Sequence, residues 1–80
     1  MELSSILVVT TQPQFNATVA ALSEMKGLQV HYSDQASSRI IVTQETQNTD
    51  EQIQGLQHIK LLPHVVMAEM VYHYCEDTSD

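Results

Sequence analysis

The chain has 80 residues, ten Asp and Glu against three Lys and Arg, a formal charge of −7 at pH 7 and 42% apolar residues. That length is one small domain, which hides only about 60% of the surface of its unfolded chain and leaves little core for a large enclosed active site. With Lys26, Arg39 and Lys60 as the only Lys and Arg, the composition argues against nucleic acid and anionic membrane surfaces and favours a basic partner.

Cys75 is the single cysteine, so an internal disulfide is excluded. No stretch approaches the roughly 18 apolar residues that span a bilayer. The opening Met1-Glu2-Leu3-Ser4-Ser5 has no basic run, and Ile6 to Val9 is too short for a signal-peptide core. These features read as a soluble cytoplasmic protein.

Residues 5–10 (Ser-Ile-Leu-Val-Val-Thr) form a β-branched run without alternation, expected for a strand apolar on both faces. Pro13 ends it. Phe15, Val19, Leu22 and Lys26 follow helical spacing, and Gly27 supplies a left-handed stop, which predicts a helix over residues 14–26. Residues 28–33 alternate as a half-buried strand. A turn at residues 34–38 leads into a second β-branched run, residues 39–44, so the two strands read as a hairpin. Thr49 with Gln52 fits a capping box, and Ile53, Leu56 and Ile59 keep one helical stripe that ends at Lys60. Residues 65–74 are the longest strand candidate. Strict alternation there puts Val66, Ala68, Met70, Tyr72 and Tyr74 on one face and Val65, Met67, Glu69, Val71 and His73 on the other. Residues 75–80 are an acidic tail.

Strand, helix, strand, strand, helix, strand is the split βαβ order of the ferredoxin-like α+β fold. Right-handed crossovers place both helices on one face of a four-stranded antiparallel sheet. The expected strand order is fourth, first, third, second, within a single domain over residues 1–80.

Such a sheet needs apolar residues on one face only, yet the first, third and last strands carry them on both. Both parities of the first strand are apolar, so either Ile6 and Val8 or Leu7 and Val9 face outward. With Ile6, Val8 and Thr10 taken as outward, the open face also holds Ile41, Met67, Glu69, Val71 and His73, with Glu76 beyond the strand. Three readings stand for this surplus: β-propensity of central strands, a homodimer interface, or a partner site. Glu69, Asp34, Glu45, Glu76 and Asp77 place acids around it, which suits a peptide with an apolar stretch beside Arg or Lys.

Catalytic and metal chemistry have no constellation. His31, His58, His64 and His73 match no closed zinc spacing. Cys75 stands beside Glu76 and Asp77 rather than a base or cation. Gly27 and Gly55 make no phosphate loop. No catalytic residue, metal or cofactor is expected.

The opening Ser5-Ile6-Leu7-Val8-Val9, the stretch Gly27-Leu28-Gln29-Val30, Leu62-Pro63 with Val65, and the ending Met70-Val71-Tyr72-His73 resemble the NapD family over essentially the whole chain. His64 departs from that pattern, where Gly is expected after Leu62-Pro63. The acidic Glu76-Asp77 is similar to the family's charged tail. The resemblance implies a cytoplasmic, monomeric chaperone of the periplasmic nitrate reductase. Its partner would be the twin-arginine signal peptide of the catalytic subunit NapA, held back from export until cofactor loading. The alternative from a different class is a ligand-sensing regulatory domain that dimerises through its open sheet face.

Overall fold

The β-branched runs around Ile6–Val9 and Ile40–Val42 form the two inner strands of the sheet, as their apolar character on both faces requires. The computed structural model describes residues 1–75. Its elements are β1 (Glu2–Thr10), a short 3-10 helix (Gln12–Gln14), α1 (Phe15–Glu24), β2 (Leu28–Asp34), β3 (Arg39–Thr46), α2 (Thr49–Lys60) and β4 (Val65–Cys75). The sheet order is β2-β3-β1-β4 and every pair is antiparallel. Both helices pack on one face, α1 mainly against β2 and α2 against β4 and β3. This is the ferredoxin-like α+β arrangement that the element order predicts.

Three local signals set the boundaries. Pro13 lies in the first turn of the 3-10 helix, where its missing N–H costs nothing, so α1 itself begins only at Phe15. Gly27 takes φ +82°, the left-handed value that terminates the segment, and its carbonyl accepts from Glu45 N at 3.0 Å. Asp34 holds the β2–β3 turn by accepting from Ala36 N at 3.2 Å and Ser37 Oγ at 2.9 Å.

The cap of α2 sits one residue earlier than the spacing predicts. Asn48, not Thr49, is the N-cap: its Oδ1 accepts from Glu51 N at 2.9 Å, and Glu51 Oε1 accepts from Gln47 N at 2.9 Å. Thr49 Oγ1 instead donates to Glu2 Oε2 at 2.9 Å, which ties the start of α2 to the start of β1.

The core lies between sheet and helices and comprises Ile6, Val8, Phe15, Leu22, Ile40, Val42, Ile59 and Ala68. Beside it, under the first half of α2, the interior turns polar. Gln44 Nε2 donates to Ser4 Oγ at 3.4 Å and to Gln52 O at 3.2 Å, and Glu2, Ser4, Gln44 and Gln52 are all buried. Gly55 sits directly over the Gln44 amide, where a Cβ would overlap it.

Candidate functional site

The register of the four strands arranges the face away from the helices in rows, because side chains directly opposite on paired strands share a face. The row nearest the β2–β3 turn is Asp34, Arg39, Val9 and Met67. Next comes Tyr32, Ile41, Leu7 and Glu69, then Gln29, Thr43, Ser5 and Tyr72. Glu45, Leu3 and Tyr74 close the face at the other end. The face is therefore divided along the strands. Val9, Met67, Ile41, Leu7 and Tyr32 make one half largely apolar, with Asp34 and Arg39 in its outer row and Glu69 at its β4 edge. Hydroxyls, an amide and a carboxylate dominate the other half, around Leu3.

Two irregularities on the edge strands build this arrangement. Opposite β3, β2 carries an extra residue at His31, since Val30 pairs with Val42 and Tyr32 with Ile41. Opposite β1, β4 carries one at Val71, since Met70 pairs with Ile6 and Tyr72 with Ser5. Each inserted residue reverses the alternation beyond it. Tyr32, Tyr72 and Tyr74 are thereby turned onto the open face, where each is about half exposed.

Several sequence expectations are corrected by this geometry. Ile6, Val8 and Thr10 do not line the open face. Ile6 and Val8 are fully buried under the helices and Thr10 is 4% exposed, its hydroxyl donating to Thr11 O. The outward set of β1 is Leu3, Ser5, Leu7 and Val9. His73 is not on the open face either. Beyond the extra residue at Val71 it lies on the helix side, with Nε2 3.1 Å from Glu2 Oε1. Val65 packs against the core rather than outward, after a second register shift between Val9 and Thr10. Of the expected residues, Ile41, Met67 and Glu69 are brought together on the open face, and Val71 is exposed at the inserted position. Glu76 lies outside the described residues.

Leu3, Tyr32, Tyr72 and Tyr74 were not anticipated on this face, and Leu7 and Val9 were the alternative parity of the first strand. In β1 the misleading signal is polarity. Glu2, Ser4 and Thr10 share parity with Ile6 and Val8, so that set is the more polar of the two. It is nevertheless the buried one, because Thr49, Gln44 and His73 supply partners for Glu2 and Ser4. Gln44, Thr49 and Gln52, polar residues spaced to face a strand, were the available hint.

Among the described residues the one ion pair is Glu2 with His73, and no cluster of three His, Cys, Asp or Glu side chains is placed to hold a metal. No helix is long and apolar enough to cross a membrane. A recess of about 440 Å³ opens at the helix side, lined by Lys26, Glu51, Gln54 and His58 among others. Its charges are mixed and converge on no common point. The open sheet face, uncovered by any described element and apolar over half its length, is the stronger candidate for binding.

The fold has counterparts among solved structures. The Tat proofreading chaperone protein NapD of E. coli, solved in solution, superposes with a TM-score of 0.84 at 23% identity, covering 98% of this chain and 82% of that one. A hypothetical protein from Pyrococcus horikoshii superposes with a TM-score of 0.79 at 21% identity, covering 98% of this chain and 94% of that one. A search of curated proteins gives no match. The NapD protein family matches residues 1–77. With a match over nearly its whole length, the chain belongs to the NapD family.

Proposed function

We propose that this chain is a non-catalytic chaperone that binds the twin-arginine signal peptide of NapA, the catalytic subunit of the periplasmic nitrate reductase. It acts in the cytoplasm as a monomer and delays export until cofactor loading is complete. One observation carries the reading: in a chain of the NapD family, the face left open by both helices is divided into a largely apolar half and a polar half, with carboxylates at its margins. A twin-arginine signal has the matching division, a basic pair beside an apolar stretch.

The chemistry of recognition follows from the rows. Leu7, Val9, Ile41 and Met67 bury the apolar stretch of the peptide, with Val71 and Tyr32 at its flanks. Burying about 400 Å² of apolar surface at this face would contribute on the order of 10 kcal/mol before ordering costs, enough to seat a short peptide. Carboxylates of Glu69 and Glu45 attract the arginines, and the net charge of −7 raises the encounter rate at low salt.

Calorimetric titration with the signal peptide tests the proposal. Saturable one-to-one binding that weakens when both arginines become Gln, and weakens further at high salt, is the expected result. Absence of binding, or a dimer mass by light scattering that grows with concentration and persists with peptide, would favour the dimerising regulatory domain instead.

A further inference from the structure

The open face ends in a notch beside Glu45. β3 runs two residues past the last β2 pairing, Leu28 with Gln44, so Glu45 and Thr46 have no β2 residue opposite them. The chain at that point is Gly27, which brings no side chain and is fixed by its carbonyl to Glu45 N. The result is a depression of about 250 Å³ lined by Leu3, Gly27, Leu28, Gln29, Thr43 and Glu45.

Its polar side chains are one carboxylate, one hydroxyl and one amide. Glu45 is exposed and, among the described residues, has no Lys, Arg or His nitrogen within ion-pair distance. Thr43 Oγ1 donates to Gln29 O at 3.5 Å, so the hydroxyl oxygen keeps its capacity to accept. The Gln29 side chain adds a carbonyl oxygen. Leu3 supplies an apolar floor for an aliphatic stem. Lys26, the nearest cation along the chain, lines the adjoining recess on the helix side, which shares Gly27 and Glu45 with this notch, and forms no ion pair with Glu45. A guanidinium has five donors and no acceptor, and it pairs with a carboxylate bidentately where an ammonium does not.

We infer that this notch receives one arginine of the bound peptide, with Glu45 as its carboxylate partner, and that the peptide therefore lies in one direction on the sheet. Its basic end is at Glu45 and Leu3, and its apolar stretch runs toward Val9 and Met67. Arg39 stands in the row at that far end, with Asp34 opposite it on β2, so that end presents a mixed pair rather than a carboxylate alone. The inference rests on the peptide-binding reading above and adds to it a subsite and an orientation. Glu69, at the β4 edge of the apolar half, is the competing carboxylate.

A double-mutant cycle discriminates. The wild-type chain, Glu45→Gln and Glu69→Gln are each titrated with a twin-arginine signal peptide and with peptides in which each arginine singly becomes Gln. Circular dichroism verifies that each variant is folded. Glu45→Gln should weaken the intact peptide about tenfold, and one of the two arginine changes should then have less than a twofold further effect. A Glu45→Lys chain should recover affinity for the peptide whose matching arginine is replaced by Glu. Strict additivity at Glu45, or coupling confined to Glu69, would overturn the notch while leaving peptide binding in place. No binding of the intact peptide to the wild-type chain would overturn both.

Discussion

His73 Nε2 lies 3.1 Å from Glu2 Oε1 on the helix side of the sheet, although strict alternation from Glu69 would place His73 on the opposite face. The extra residue at Val71 is the cause. The contact joins the ends of the two neighbouring strands β1 and β4, and Thr49 brings the start of α2 to the same carboxylate. One acidic side chain therefore ties three elements together at the polar end of the interior.

The parity of β1 is tested by adjacent substitutions. Val8→Glu puts a carboxylate into a fully buried position and costs about 3 kcal/mol or more, a large part of the stability of so small a domain. Cooperative thermal unfolding should be lost or shifted far downward. Leu7→Glu, one residue earlier, should melt within a few degrees of wild type and lose affinity for the signal peptide. The opposite pattern would mean that β1 has the other face inward.

His64 holds φ +74°, the region in which a side chain is disfavoured by about 1–2 kcal/mol. Glycine removes that strain and adds about 0.5–1 kcal/mol of unfolded-state entropy. His64→Gly should raise stability by about 0.5–1 kcal/mol, a gain of several degrees in Tm for a domain of this length. The carbonyl of residue 64 still accepts from Thr11 N, so the turn itself is kept. A lower Tm would show that the imidazole contributes a contact worth more than the strain.

Gly55 behaves in the opposite way. In an exposed helix, Gly→Ala gains about 1 kcal/mol. Here the new methyl overlaps the buried Gln44 amide, which is held by Ser4 and by the Gln52 carbonyl. Gly55→Ala should destabilise by about 1–2 kcal/mol in urea unfolding. Placed in a Gln44→Ala background, the same change should become neutral or stabilising. Equal effects in both backgrounds would separate the two residues.

The shifted cap of α2 is tested by alanine at two neighbours. Asn48→Ala should cost about 1 kcal/mol through the orphaned Glu51 N–H. Thr49→Ala acts through its hydrogen bond to Glu2, so its cost should shrink when Glu2 is already Ala. If Thr49 were the cap, its cost would be independent of Glu2 and Asn48 would be nearly silent.

The order of elements, the sheet topology and the position of both helices were legible because hydrophobic period, Pro13, Gly27 and the polar turns all report on backbone geometry within a few residues. The membership of the open face was only half legible. Ile41, Met67 and Glu69 were placed correctly, since β3 alternates without interruption and β4 does so from Met67 to Met70. Tyr72, Tyr74 and His73 were misplaced because an inserted residue in an edge strand leaves no compositional mark: Val71 looks like any other strand valine. The β1 error has a different cause. Burial of Glu2 and Ser4 is permitted only by partners 40 or more positions away, Gln44, Thr49 and His73. Local hydrophobicity cannot see them.

Two of the inserted residues, His31 and Val71, lie in edge strands and both sit where the apolar half of the open face gives way to the polar half. Neither inner strand is disturbed by them between Ile6 and Val8 or Ile40 and Val42. Loss of one such residue would exchange every outward side chain beyond it for its inward neighbour, with the central packing intact. Ligand preference on this scaffold can therefore change by single-codon insertion or deletion at the margins, a route that a substitution scan would never sample and that a gap-averse comparison of related chains would misalign.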